Sequence, residues 1–315
     1  MESKLRVGIV GLGKIAWQIY LPLLSQERSV EIATVFARTP ETRERVKAAF
    51  GLPHAARSFE EFCEQGLDCA FVLTPKDTHC ELVLSLLERG MDVFCEKPMA
   101  TKMTQAEAMV EAAKSNGRIL MFAFNRRYAP VYVRAKEAFS ESPPEIAVAC
   151  KNRPGLEYRA TIENTIHMID LLTWFCGEAS EVHAFSQFVD ADYEKGIVAT
   201  IRFKNGSIGT LSASRTCGRW DERLSLYGNG ITCDVNCPTE TLVYREGELS
   251  GLSIVGRDTG FADPKDTLGF TSIVRDFIRC VRTHEKPCLP VEDVLATHVL
   301  LDEILNAAGL PALNS

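Results

Sequence analysis

The chain has 315 residues, 46% of them hydrophobic and 24% charged, and a formal net charge of −7. This length supports two domains of ordinary size, each with its own core. The acidic balance without a basic stripe argues against nucleic acid as a partner, and no apolar run reaches the roughly 18 residues of a membrane span.

The first 124 residues alternate strand-like and helix-like segments. The strands fall at Leu5–Val10, Glu31–Ala37, Asp68–Leu73, Met91–Cys95 and Arg118–Phe124. Helical stretches lie between them near Ile15–Ser25, Pro40–Phe50, Phe59–Gln65, Thr78–Arg89 and Thr104–Ser115. The strands are short and almost wholly apolar, as in a sheet with helices on both faces. Gly51, Gly90 and Gly117 stand where three helices end, and Pro40 sits in the first turn of one. The spacing predicts an α/β domain over residues 1–124, a doubly wound parallel sheet.

Beyond Asn125-Arg126-Arg127 the texture changes. A helix is expected over Ala129–Phe139, a turn at Ser142-Pro143-Pro144 and a strand over Glu145–Asn152. Ile197–Phe203 and Ser207–Ser214 flank Asn205-Gly206, whose residues suit the positive φ angles of a tight hairpin turn. Further strands read near Arg223–Tyr227, Ile231–Val235 and Thr241–Tyr244, and helices over Thr271–Thr283 and Val291–Ala308 close the chain. Residues 125–315 thus read as an α+β domain on a large, mainly antiparallel sheet.

Gly11-Leu12-Gly13-Lys14-Ile15-Ala16 follows the first strand. Gly11 allows the tight turn, Gly13 lets backbone approach a pyrophosphate, and Ala16 is small enough for close helix–strand packing. The anion would rest on the N–H groups that open the next helix. The second strand ends in Ala37-Arg38-Thr39, without the Asp or Glu that accepts from an NAD ribose. A guanidinium and a hydroxyl suit a 2′-phosphate, which favours NADP over NAD; otherwise Arg38 stacks on adenine or points to water. Thr74 and Pro75 end the third strand and face the ligand crevice of such a sheet. His79, just beyond, either joins the cofactor site or caps its helix. The fourth strand ends in Cys95-Glu96-Lys97-Pro98, with Glu96 bonding backbone or cofactor ribose.

Glu163 and His167 sit four apart in Thr161–Asp170, on one face of a helix and able to share a substrate hydroxyl. Asp170 reads as a structural anchor. Lys151 and Arg153 alternate onto one strand face, either as ligands for an acidic or phosphorylated sugar or as solvated strand-end charges. Of Arg126 and Arg127, one is expected to touch the cofactor and the other to bridge the domains. Tyr158, Trp174, Trp220 and Tyr227 are aromatic enough to stack on a sugar, Trp174 being better placed for the core. Eleven scattered cysteines without a C-x-x-C pair read as reduced thiols, and the opening residues carry no export signal; a cytoplasmic protein without a metal is expected.

Together the glycine turn, Thr74-Pro75 with Asp77-Thr78-His79, Glu96-Lys97-Pro98 and Phe124-Asn125-Arg126-Arg127-Tyr128 resemble the Gfo/Idh/MocA oxidoreductases, most of all their MviM-like branch. The resemblance runs over nearly the whole chain. It implies a nicotinamide cofactor, Lys97 beside the reacting carbon with a cis bond to Pro98, and His167 exchanging the hydroxyl proton. Glu163 stands where those enzymes carry Asp. It also implies a dinucleotide-binding Rossmann domain over 1–124, followed over 125–315 by a substrate-binding and oligomerisation domain whose open sheet commonly forms a homodimer or homotetramer interface. The expected activity is NAD(P)-dependent hydride transfer at a carbinol carbon of a sugar, sugar derivative or cyclitol. A non-catalytic NAD(P) sensor of the same fold, or a redox-assisted glycosidase, is the competing reading.

Overall fold

Short apolar runs flanked by glycine turns cannot satisfy their main chain alone, and here they pair into two sheets. The computed structural model describes residues 3–156, 159–190, 193–255 and 262–313. The chain forms two compact units, Met1–Ala123 with Ile273–Glu292 and Phe124–Ser272 with Asp293–Ser315.

In the first unit β1 (Leu5–Val10), β2 (Val30–Phe36), β3 (Cys69–Val72), β4 (Asp92–Cys95) and β5 (Leu120–Phe122) form a parallel sheet in the order β2-β1-β3-β4-β5. The order reverses between β1 and β3, and the crevice outside the carboxyl ends of such a switch point is where open α/β sheets bind ligands. Gly51, Gly90 and Gly117 follow their helices at φ 61°, 78° and 60°, where a left-handed residue is needed. The expected boundary near 124 needs one amendment. Residues 273–292, read from sequence as part of the second domain, belong to the first unit. Phe277 of the helix Phe270–Thr283 meets Phe71 and Phe94 edge-on at 5.4 and 5.5 Å, and Arg282 donates to the carbonyl of Ser29 at 2.8 Å. A buried aromatic cluster of this kind outweighs continuity of the chain.

The second unit carries β6 (Ile146–Asn152), β7 (Ala179–Phe188), β8 (Glu194–Phe203), β9 (Ile208–Ser214), β10 (Asp221–Gly228), β11 (Ile231–Asn236), β12 (Glu240–Arg245) and β13 (Glu248–Ile254), in the order β13-β12-β11-β10-β6-β9-β8-β7. All pairs are antiparallel except β6 with β9. The sequence reading lacked β7 and β13, the two edges, because their side chains are mostly exposed and show no apolar alternation. At Asn205-Gly206 only Gly206 has positive φ, 93°. Its N–H bonds to the Phe203 carbonyl, so the hairpin is a one-glycine bulge and not a two-residue primed turn. Among the described residues no helix is long and apolar enough to cross a membrane. All eleven cysteines are free thiols, and burial pushes those of Cys176, Cys233 and Cys237 up to about 12.

Candidate functional site

The glycine turn lies where the switch point puts it. Gly11 has φ 91°, and a Cβ there would come within 2.6 Å of the Leu73 carbonyl. It is glycine both for its dihedral and for the approach of two strand ends. A Cβ on Gly13 would meet nothing within 4 Å, so that residue leaves open space for a ligand. The turn feeds a helix that opens with a π turn, Ala16–Tyr20, in which Ala16 is buried as its small size anticipates.

A cavity of about 420 Å³ is lined by Gly11, Leu12, Gly13, Arg38, Thr39, Thr74 and Pro75, all expected from sequence, and by Val10, Phe36, Ala37, Thr42, Thr78, Glu81 and Leu82. Lys14 lines an adjoining cavity with Trp17, Gln18 and Arg45. Ile15 lines neither. The open Gly13 position and the helix opening beside it fit the phosphates of a dinucleotide. On the β2 side the wall offers Arg38, Thr39 and Thr42 without a carboxylate. Arg43, which the sequence reading missed, is buried behind that loop and donates to the carbonyls of Ala37 and Arg38 at 2.7 and 3.2 Å.

At the end of β4, Lys97 is half-buried and its bond to Pro98 is cis. Glu96 is buried, accepting from the Tyr20 hydroxyl at 2.6 Å and the Lys97 N–H at 3.1 Å. Burial pushes the Glu96 carboxyl up, and Lys97 and Tyr20 work against that shift. Burial first, then Glu96, holds the Tyr20 phenol well above its ordinary value, so it remains a donor. Nothing in the local sequence marks Tyr20, because its partner lies 76 residues on. His79 is fully buried, with Nδ1 2.9 Å from the Pro98 carbonyl and Nε2 3.0 Å from the Thr74 carbonyl. Both nitrogens face main chain, in place of the cofactor contact expected from sequence.

In the second unit a π turn, Thr161–Thr165, leads into the helix Ile166–Cys176. Glu163 therefore stands in a wider turn than the regular helix expected from sequence, though still about one turn before His167. Glu163 is half-buried and His167 buried, its ring edge-on to Phe124 at 6.1 Å. Asp170 is the anchor that its sequence context suggests: it accepts from Arg127 Nε at 3.0 Å, Arg127 Nη2 at 2.8 Å and the Thr297 hydroxyl at 3.0 Å. Arg127 also donates to Asp293 at 2.7 Å and lies 5.7 Å over the Trp174 ring. Burial opposes the guanidinium charge, but Asp170 and Asp293 outweigh it and raise its pKa.

Arg126 is not free to reach out for a cofactor. Its guanidinium grips Glu222 through Nε at 2.6 Å and Nη2 at 3.1 Å, and the Tyr132 hydroxyl donates to the same carboxylate at 3.1 Å. Lys151 Nζ pairs with Glu222 as well. Burial opposes the Glu222 charge, and Arg126 and Lys151 together hold its carboxyl well below the ordinary value. Burial pulls the Lys151 ammonium down to about 8, although Glu222 favours its charge. Arg153 lies just past the end of β6 and is exposed, whereas Lys151 is buried. The alternation of β10 points Glu222 inward with Leu224 and Leu226, a signal that could have found it. Trp220 is exposed; Tyr158 lies outside the described residues. Among the described residues no group of three or more His, Cys, Asp or Glu side chains could hold a metal.

Known proteins resemble the chain over its length. Residues 5–124 match the model of an oxidoreductase family with an NAD-binding Rossmann fold, and residues 130–232 that of the GFO/IDH/MocA C-terminal domain. Myo-inositol 2-dehydrogenase of Thermotoga maritima is 26% identical, covering 92% of each chain. The NAD(+)-dependent scyllo-inositol 2-dehydrogenase of Bacillus subtilis is 24% identical over 94% of this chain and 91% of its own. The crystal structure of the dehydrogenase MviM from Clostridium difficile superposes with a TM-score of 0.87 at 25% identity, over 96% of this chain and 99% of that one.

The Glu222 cluster is testable without a substrate. Removing its charge leaves two buried cations facing one another, a change that costs about 3–5 kcal/mol. Glu222→Gln is expected to lower stability by that order in chemical denaturation. Because the folded carboxyl titrates below its ordinary 4.5, its contribution is complete above that pH and lost as the pH falls below it. The gap between wild type and variant should therefore close on acidification.

Proposed function

The chain belongs to the Gfo/Idh/MocA oxidoreductase family, and from that premise we propose an NAD(P)-dependent dehydrogenase acting on a carbinol carbon of a sugar, sugar derivative or cyclitol. The observation that carries the reading is the cavity at the carboxyl ends of β1, β2 and β3, with the open Gly13 position in its wall. The polyol class comes from the two relatives named as inositol dehydrogenases, which align with more than nine-tenths of the chain.

Bound in the cavity, the dinucleotide supplies the nicotinamide carbon that exchanges the hydride. The chain's own residues do the rest. Leu12 to Ile15 offer backbone N–H groups to the phosphates, and Thr74 and Pro75 wall the ribose. Lys97 donates to the substrate oxygen, its charge offsetting the negative charge that develops there as the hydroxyl proton leaves. His167 takes the hydroxyl proton, and Glu163 orients the same hydroxyl. Arg38 and Thr39 hold a 2′-phosphate, with the loop stiffened from behind by Arg43; the preferred cofactor is NADP. Arg126 and Lys151 shape the second unit through Glu222 and contact neither ligand directly.

The protein assembles as a homodimer or homotetramer through the second sheet. Exposed apolar side chains on that sheet include Phe185 and its cross-strand partner Val198, and Ile146 with its neighbours Ile208 and Tyr227. Two such exposed apolar clusters on one face of the sheet mark it as an interaction surface.

Turnover on a panel of polyols and sugars, followed at the nicotinamide absorbance band, tests the chemistry. Lys97→Ala is expected to cut the rate by about 10²–10³-fold while cofactor binding survives; binding without turnover on any substrate would mark a sensor instead. Arg38→Ala should weaken NADPH binding by about tenfold, the worth of one charge-assisted bond, and spare NADH. Tighter NADH binding in the wild type, indifferent to that change, refutes the NADP preference. Val198→Asp should sediment as a monomer where wild type sediments as an oligomer.

A further inference from the structure

His79 is a buried titratable group that this mechanism leaves unused. It opens the helix His79–Glu88, and its two ring nitrogens face two main-chain carbonyls, those of Pro98 and Thr74. A carbonyl oxygen only accepts, so each contact is a hydrogen bond only while that nitrogen carries a proton. Neutral imidazole has one N–H and imidazolium has two. The ring thus spans the turn after β3, where Thr74 and Pro75 line the cofactor cavity, and the turn after β4, where Pro98 follows Lys97.

We propose that His79 is a positioning residue for hydride transfer: its Nδ1 arm sets the Lys97–Pro98 turn, and its Nε2 arm sets the Thr74 wall of the cofactor cavity. The inference rests on Lys97 holding the substrate oxygen, and His79 acts only through the two carbonyls. Burial, the largest influence, holds the ring below its ordinary 6.5, and the Lys97 ammonium pushes the same way. The two carbonyls and the Asp77 carboxylate, from the turn Lys76–Thr78, favour the charged form. At neutral pH the ring is therefore mostly neutral with one arm bonded, and the second arm closes as the pH falls below 6.5.

Two substitutions separate the arms. In His79→Asn the amide nitrogen reaches the Nδ1 position and keeps a donor for Pro98. In His79→Gln it reaches the Nε2 position and keeps a donor for Thr74. NADPH affinity, read by nicotinamide fluorescence, and kcat are measured for each at an acidic pH where the wild-type ring has gained its second proton and both arms are closed. His79→Asn is expected to weaken NADPH binding about tenfold with kcat within about twofold. His79→Gln should do the reverse, losing about tenfold in kcat, on the scale of one hydrogen bond or a small misplacement. Equal losses in both quantities for both variants, or no loss in either, overturn the proposal. The affinity measurement needs no turnover, so a protein that binds NADPH but oxidises nothing would sink the dehydrogenase reading and still test the Thr74 arm. Should the variants fail to fold, the ring 15N shifts of wild type decide. One protected N–H at neutral pH and a second proton gained below pH 6.5 support the brace; the averaged shifts of a freely exchanging ring overturn it.

Discussion

The approach of Gly11 to Leu73 is the constraint on which the site depends. The Gly11 N–H donates to the carbonyl that ends β2, Phe36, and the Leu73 N–H donates to Val10. A methyl group on Gly11 would collide with Leu73 main chain. Three strand ends are thereby drawn together at the switch point, and the loops they carry become three walls of one cavity. Position and chemistry follow from this contact: Gly13 open beside the helix start, Arg38 and Thr39 on one wall, Thr74 and Pro75 on another.

Around that cavity the fold uses buried hydrogen bonds to hold turns, where side-chain chemistry alone would suggest ligands. Glu96 is occupied by Tyr20 and by the backbone of Lys97, and Arg43 stiffens the loop of Arg38. Each fixes a backbone segment next to a side chain that the proposed function assigns to binding. Preorganisation of this sort is worth having because misplacing a catalytic group by about an ångström can cost about a hundredfold in rate.

The second unit buries charge for the same end. Arg127 with Asp170, and Arg126 and Lys151 with Glu222, are far from solvent. Such pairs add little net stability because desolvation offsets attraction, yet breaking one is severe. Asp170 lies one turn after His167, so the Arg127 pair pins the helix that carries the proposed proton acceptor. Read along the chain, Arg126 and Lys151 look like ligands for an anion, because a lone cation with no visible partner invites one. Their partner, Glu222, is 96 and 71 residues away respectively.

What the sequence determined by itself is whatever depends on neighbours along the chain. Strand–helix alternation set the parallel sheet, glycines marked the turn and the helix ends, and the spacing of Glu163 and His167 put them about one turn apart. The family resemblance pointed to Lys97. Tertiary structure alone decided the rest. The helix carrying Phe277 joined the first unit because aromatic packing ignores chain order. The edge strands β7 and β13 formed because a ladder of main-chain bonds needs no apolar pattern. Tyr20, Glu222 and His79 acquired their roles from partners that only folding brings within reach, since a hydrogen bond acts over about 3 Å and leaves no trace in local composition.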